Sequence, residues 1–167
     1  SGATAAWDFP VEPASLAPRL GGGLMLAMRD GLWHFDPASG ERTRLAEPPY
    51  DPARERFNDG KSDALGRFWV GTIFEPRNAD AAEMFVLEKG QVRKVWSGGM
   101  TVSNGLGFSP DKRTMYHSDT TTHRIDRFDF DAATGAISAP HPFQRFSTDK
   151  KALDYGGRPD GAAVDSE

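Results

Sequence analysis

The chain has 167 residues, enough for one domain with a real hydrophobic core. Its 20 basic and 24 acidic residues give a net charge of −4 without long runs of one sign, which argues against a nucleic-acid partner. The absence of cysteine excludes disulfides and thiolate catalysis.

No apolar stretch is long enough to span a membrane, and the first residues lack the basic and then apolar pattern of a signal peptide. We therefore expect no membrane partner and a cytoplasmic location. The chain combines 18 glycines and 12 prolines with a hydrophobic share of 38%. That composition favours many short strands joined by tight turns over disorder.

The predicted elements are short strands. The first lies at 7–9 and is interpreted as the outer strand of a blade, and inner strands are predicted near 15–19, 61–63, 106–109 and 162–165. Asp30 and Gly31 predict a hairpin between the apolar segments 24–28 and 32–35, because both turn positions need a positive φ. No apolar pattern at helical spacing is sustained, so the expected fold class is all-β.

Three segments share a pattern in which a polar residue precedes a glycine at the start of a strand. They are 56–63 (RFNDGKSD), 102–109 (VSNGLGFS) and 158–165 (RPDGAAVD). In a second pattern, turn glycines recur at Gly40, Gly90 and Gly135, about 45 to 50 residues apart. A repeat of about 45 residues built from short strands is typical of β-propeller blades. Asparagine and aspartate at equivalent blade positions converge on the central channel, which predicts an oxygen-rich metal site.

The repeat length also predicts how much of a propeller the chain contains. At about 45 residues per blade, 167 residues make three to four blades, near the lower limit of known propellers. The chain starts at an outer strand and stops where the earlier repeats enter their second strand. We therefore predict that residues 1–167 form a single partial β-propeller domain, truncated at both ends.

These motifs resemble the senescence marker protein, gluconolactonase and luciferin-regenerating enzyme family, also called regucalcin-like. The matching segments follow the order of the family and are 56–61, 66–72, 103–106, 109–111 and 159–161. The resemblance implies a six-bladed β-propeller with a divalent cation in its central channel. Calcium is the first expectation for that cation, with zinc, magnesium and manganese as alternatives.

The resemblance also implies roles for particular residues. Carried over by motif, Asn104 and Asp160 are implied metal ligands, and Arg56 and Asn58 are implied substrate-contacting residues. Asn58 is also in a position to reach the metal through water. The remaining ligand of the family is a glutamate from an upstream segment, so no residue of this chain is assigned to it. The family has an acidic residue after its Gly-Thr-hydrophobic step, and Glu75 is the nearest match.

Together these residues suit the hydrolysis of a sugar-type lactone by metal-activated water. Amide and carboxylate oxygens are hard ligands for the cations named above. Such a cation polarises a carbonyl and lowers the pKa of bound water, and Asp160 then serves as the catalytic general base. Arg56 remains charged and can donate hydrogen bonds to hydroxyls or to a developing oxyanion. Ser-His-Asp catalysis is less attractive, because no serine lies in a nucleophile-elbow motif.

Two other functions stay open at this stage. One is a non-catalytic propeller that binds calcium or another ligand, and the other is an inactive fragment whose site is split. Asn104 and Asp160 also suit turns, while Asp59 and Asp63 are interpreted as structural residues that bind backbone amides. The histidines lack metal-ligand spacing and are interpreted as surface or packing residues. The expected partner is a small-molecule lactone, and the oligomeric state is left open.

Overall fold

The structure is a computed structural model that describes residues 4–165, and these residues form strands and loops without a helix. The strands build three antiparallel sheets. Sheet 1 contains β1 (Pro13–Pro18), β2 (Leu24–Met28), β3 (Gly31–Phe35) and β4 (Arg42–Ala46). Sheet 2 contains β5 (Glu55–Ser62), β6 (Phe68–Phe74), β7 (Glu83–Glu88) and β8 (Gln91–Ser97). Sheet 3 contains β9 (Ser103–Phe108), β10 (Thr114–Asp119) and β11 (Arg124–Asp131), with β12 (Ala136–Ile137) and β13 (His141–Arg145) both paired to β11.

The expectation of an all-β chain is confirmed, and the burial of the strands follows from their sequences. Along β11, buried Asp126, Phe128 and Phe130 alternate with exposed residues, the period of two expected when one face is solvated. All seven residues of β6 are buried, as its apolar run predicts for a strand covered on both faces. Among residues 4–165 there is no helix that could cross a membrane.

Two apolar clusters hold the sheets together. Between sheets 1 and 2 the cluster includes Leu32, Phe57 and Phe85. Between sheets 2 and 3 it includes Trp69 and Phe130, whose ring centroids lie 5.7 Å apart. The first strands of the sheets lie next to one another, since β1 contacts β5 and β5 contacts β9. This arrangement places the repeats at 56–63 and 102–109, which lie in and beside β5 and β9, next to each other.

Strands occur at three of the four positions predicted for inner strands, with shifted bounds, as β1, β5 and β9. The fourth prediction, a strand at 162–165, is wrong, because these residues form no strand. They lie beside sheets 2 and 3, where Lys61 Nζ donates to Ala162 O at 3.2 Å. A strand needs a hydrogen-bonded partner, and the described residues beyond β13 supply none. The chain end inside a blade, predicted at 165–167, falls partly outside the described residues.

The predicted strand at 7–9 is also wrong. Trp7 and Phe9 lie in a loop and contact Phe35 edge to face, with centroid distances of 5.5 and 5.2 Å. Phe9 and Phe35 belong to an apolar layer on sheet 1 that also contains Leu26 and Met28. The segment therefore covers sheet 1 through its side chains, not through a backbone ladder.

The predicted hairpin turns are present, with one correction. β2 and β3 form the expected hairpin, but of its two predicted turn residues only Gly31 has a positive φ, at 130°. The turn glycines Gly40, Gly90 and Gly135 have φ values of 76°, 79° and 69°. They follow β3, β7 and β11, so the second sequence pattern marks the third strand of each sheet.

A buried ion pair links sheet 2 to sheet 3. Asp63 accepts hydrogen bonds from Arg67 Nε at 2.6 Å and Trp69 Nε1 at 2.9 Å, and from the backbone N–H groups of Leu65 and Arg67. Arg67 Nη2 donates to Ala132 O in the turn after β11, at 2.6 Å. Both charged side chains are almost fully buried, in line with a structural role for Asp63.

Replacing Asp63 with asparagine should leave the Arg67 charge buried without a counter-charge. Breaking such a pair typically costs about 3–5 kcal/mol, so we expect Asp63→Asn to lower the free energy of unfolding by a similar amount. Urea denaturation measures this loss. Asp129→Asn, a change at an exposed position of β11, is the matched control, and equal losses for the two variants would contradict the role of the pair.

Candidate functional site

A bulge in β5 directs two polar side chains toward sheet 3. The pairing of β5 with β6 shifts register between Phe57 and Gly60, and bulges of this kind change the direction of side chains. Asn58 and Asp59 therefore lie within the strand, not at its start as predicted. Asp59 Oδ2 accepts a hydrogen bond from the backbone N–H of Leu106 at 3.2 Å, which joins the two sheets.

Asn58 makes the second link between the sheets. Its Nδ2 group donates to Ser103 O at 2.8 Å and to Asn104 Oδ1 at 3.0 Å. Asn58 is half-buried, whereas Asn104 is only 7% exposed. The two asparagines predicted as site residues are thus in direct contact.

Thr120 extends this network to the C-terminal segment. Asn104 Nδ2 donates to Thr120 Oγ1 at 2.7 Å, and Thr120 Oγ1 donates to Pro159 O at 2.8 Å. The hydroxyl therefore joins the buried amide to the peptide that precedes Asp160. The side chain of Asp160 is exposed, in a loop held at the edge of the asparagine pair.

The residue after Asn104 must be small for this loop to approach. Gly105 has a φ of 53°, and a Cβ atom there would lie 2.7 Å from Asp160 O and 2.3 Å from Ser118 Oγ. Glycine therefore allows the backbone of Asp160 to lie directly against β9. The repeat and the family resemblance predicted a site at these positions, and the structure brings Asn58, Asn104 and the Asp160 backbone together.

Four alternating charges lie where sheets 1 and 2 meet. Arg29 binds both carboxylate oxygens of Glu75, with Nη1–Oε2 at 3.0 Å and Nη2–Oε1 at 2.7 Å, and its Nε donates to Glu12 Oε1 at 2.8 Å. Arg56 Nε is 3.4 Å from Glu75 Oε1. We call Glu12, Arg29, Arg56 and Glu75 the charge cluster. Hydrogen bonds from Arg29 hold the pKa values of Glu12 and Glu75 below their ordinary range.

Sequence reasoning missed Arg29, Thr120 and Glu12 as site residues. Arg29, Glu75 and Thr120 each follow the second strand of their sheet directly and are 46 and 45 residues apart. Glu12, Asn58 and Asn104 are likewise spaced by 46 residues. The repeat period was the available signal, but these positions carry different residue types, so no shared motif marked them.

A serine–histidine pair next to the site is sealed from solvent. Ser103 Oγ and His117 Nε2 are 2.9 Å apart, and the residues are 2% and 0% exposed. Burial lowers the pKa of His117 to about 3. Asp119 accepts hydrogen bonds from the backbone of Thr101 and Val102 and does not bind the His117 ring. Both residues are closed to solvent, and the burial of His117 agrees with the packing role interpreted from the sequence.

Comparison with known proteins identifies similar sequences and folds. The profile of the family described as "SMP-30/Gluconolactonase/LRE-like region" matches residues 1–167. A protein named 6-deoxy-6-sulfogluconolactonase from Pseudomonas putida is 38% identical over 99% of this chain and 55% of its own length. Regucalcin from Xenopus laevis is 31% identical over 92% of this chain and 51% of its own length.

A solved structure shows the same arrangement of strands. It is the crystal structure of a calcium-binding protein, regucalcin, from Agrobacterium tumefaciens, with a TM-score of 0.82 and 30% identity. The match covers 95% of this chain and 52% of that protein. The chain therefore spans about half the length of the relatives it matches.

The network through Thr120 generates a testable prediction. Thr120→Val keeps the shape of the side chain but leaves Asn104 Nδ2 and Pro159 O without their partner. Loss of hydrogen bonds to buried groups costs about 1–3 kcal/mol, and we expect faster amide hydrogen exchange at Asp160 and Gly161. Thr120→Ser keeps the hydroxyl and is the matched control. Exchange in Thr120→Val as slow as in Thr120→Ser would contradict the link.

Proposed function

Because the chain belongs to the SMP-30/gluconolactonase/LRE-like family, we propose that its protein hydrolyses a sugar-type lactone. The main observation in support is the hydrogen-bond network from Asn58 through Asn104 and Thr120 to Pro159. It gathers polar residues from two sheets and a loop at one place. A similar protein bears the name of a lactone-hydrolysing enzyme, which supports the choice of substrate class.

For the architecture, we propose that the three sheets are consecutive blades of a six-bladed β-propeller. The repeat of 46 residues between Asn58 and Asn104 and the adjacent first strands of the sheets support this proposal. The likeness to regucalcin, over about half of that protein, supports it as well. The site would then lie at the mouth of the channel that the first strands surround.

The proposed cofactor is a divalent cation bound by Asn104 and Asp160. Among residues 4–165 no group of three histidine or acidic side chains could hold a metal ion by itself. The proposed donors are the amide oxygen of Asn104 and the carboxylate of Asp160. Asn104 Oδ1 accepts a single hydrogen bond, from Asn58, and keeps a lone pair for a cation. Hard oxygen donors of this kind fit calcium first, and also magnesium, manganese or zinc. When bound, such a cation supplies Lewis-acid polarisation and a more acidic water.

Asp160 is the proposed general base. Its carboxylate is exposed, so water and substrate can reach it, while Thr120 and Gly105 hold its backbone in place. It takes a proton from the water whose oxygen bonds to the lactone carbonyl carbon. The ring C–O bond then breaks, and the proton passes to the departing alkoxide, which gives a hydroxy acid.

Arg56 and Asn58 are the proposed substrate-binding residues. They are two positions apart in β5 and both are half-buried. The side chain of Arg56 is 26% exposed, so its guanidinium can offer N–H donors to sugar hydroxyls or to the oxygen that gains charge. Asn58 uses Nδ2 for the link to sheet 3, so its Oδ1 atom can accept a bond from a substrate hydroxyl.

One observation favours a second function, the binding of calcium without turnover. The similar crystal structure is that of a calcium-binding protein, and Asn104 and Asp160 could serve either role. Hydrolysis of a sugar lactone distinguishes the two functions. Calcium binding by a pure protein that leaves lactones intact would favour the second.

Replacing Asp160 with asparagine tests the general base. The change keeps the size of the side chain and removes the proton acceptor, so kcat for gluconolactone should fall about 10²–10⁴-fold. Asp154→Asn alters an exposed aspartate of the same loop and should leave kcat unchanged. The assay measures acid release from gluconolactone by the protein that carries this sequence. An undiminished rate in Asp160→Asn would overturn the mechanism.

Replacing Asn104 with alanine tests the amide ligand. The variant should need a higher concentration of calcium for half-maximal activity, and added calcium should restore part of the rate, because Asp160 remains. Titration of calcium into chelator-treated protein gives both values. Ser118 is a buried residue of β10, the strand paired with β9. Ser118→Ala is the control for local packing. Full wild-type activity after exhaustive chelation would contradict the role of the metal.

A further inference from the structure

We infer that Arg29 is a positioning residue of the candidate site. Arg29 holds Glu75 and thereby leaves the guanidinium of Arg56 available to substrate. This inference rests on the proposed lactone-hydrolysing function and adds a residue that acts through other side chains. It concerns the charge cluster, whose members come from sheet 1, sheet 2 and the loop before β1.

All three guanidinium nitrogens of Arg29 donate hydrogen bonds within the protein. Two nitrogens bind the two oxygens of Glu75, Nε binds Glu12, and Nη1 also donates to Pro52 O at 3.1 Å. A bidentate contact of this type fixes the plane of the carboxylate as well as its distance from the guanidinium. With its donors engaged in this way, Arg29 orients the neighbouring acids instead of binding substrate itself.

The turn that carries Arg29 is tied to β5 through one tyrosine. Tyr50 Oη donates to Arg29 O at 3.1 Å and accepts from the backbone N–H of Phe57 at 3.0 Å. Phe57 lies between Arg56 and Asn58, and its ring contacts that of Tyr50 with centroids 4.9 Å apart. The position of Arg29 is therefore set relative to the strand that bears the proposed substrate-binding residues.

The orientation of Arg56 depends on this arrangement. Arg56 Nη1 donates to Phe57 O at 3.1 Å, and its Nε is 3.4 Å from Glu75 and 4.0 Å from Glu12. Arg29 already makes the shortest contacts with both acids, so Arg56 holds them only loosely. Without Arg29, two carboxylates would face one guanidinium, and Arg56 would be drawn into a close pair with Glu75. Its donors would then be withdrawn from substrate.

The repeat supports a common role for this position. Arg29, Glu75 and Thr120 occupy the same place in their sheets, directly after the second strand. Thr120 holds Asn104 and the loop that carries Asp160. In the same way, Arg29 holds Glu75 beside Arg56.

The test compares Arg29→Met and Arg29→Lys with the control Arg44→Met. Arg44 is also a partly exposed arginine of sheet 1, paired with Glu47 at 2.6 Å outside the charge cluster. We expect Arg29→Met to raise KM for gluconolactone about tenfold, the effect of losing one charged hydrogen bond, with a smaller change in kcat. Lysine cannot make a bidentate contact with a carboxylate, so KM in Arg29→Lys should lie between the values for Arg29→Met and the wild type. Arg44→Met should match the wild type.

A second measurement does not depend on catalysis. In spectra of protein with ¹⁵N-labelled arginine, the Nε–Hε resonance of Arg56, assigned through its loss in Arg56→Met, reports the contact of this Nε with Glu75, 3.4 Å away. We expect this resonance to shift in Arg29→Met and to stay in place in Arg44→Met. A structural role for Arg29 that did not involve Arg56 would leave it unmoved.

The outcomes separate the inference from the proposed function. If the wild type hydrolyses the lactone but Arg29→Met keeps its KM and its Arg56 resonance, the inference is overturned and the function stands. If the wild type does not hydrolyse the lactone, the proposed function is overturned. The Arg56 resonance then decides alone whether Arg29 positions that side chain.

Discussion

The hydrogen bonds donated by the Asn58 amide are the contacts on which the candidate site depends. β5 and β9 belong to different sheets, and Asn58 crosses between them to bind Ser103 O and Asn104 Oδ1. Because Asn104 is buried, its amide groups must all find partners, and Thr120 supplies the next one. The bulge that orients Asn58 therefore helps to fix the position of the loop that carries Asp160, through Asn104 and Thr120.

Apolar packing sets the distances over which these polar contacts act. Trp69 is fully buried between sheets 2 and 3, and Phe57 between sheets 1 and 2. Burial of one such side chain contributes about 1.5–3 kcal/mol, more than the net contribution of about 1 kcal/mol from a typical hydrogen bond. The sheets are therefore held by their aromatic residues, and the asparagines orient groups within a frame that already exists.

The two ion-pair systems differ in exposure, and this difference separates their roles. Asp63 and Arg67 are buried between sheets and link the β5–β6 turn to sheet 3. The charge cluster is partly exposed, with Arg56 at 26% and Glu75 at 35%. Exposed pairs contribute only about 0–1 kcal/mol, and Arg29 makes the closer contact with Glu75, at 2.7 Å against 3.4 Å for Arg56. With Arg29 in place, Arg56 can therefore exchange this carboxylate for a substrate group at little cost. The buried pair stabilises the fold, and the exposed cluster suits binding.

The sequence by itself determined the all-β class and the repeat, and its resemblance to a known family supplied the four residues proposed for the site. Glycine turns and strand periodicity are local properties, and the spacing of Asn58 and Asn104 made their convergence predictable. Only the tertiary structure decided that Thr120 binds Asn104, that Arg29 binds Glu75 and that 162–165 form no strand. A residue at the end of one strand acquires its partners from another sheet, and a strand exists only where a neighbour accepts its hydrogen bonds. The local sequence specifies neither the partner from another sheet nor the neighbouring strand.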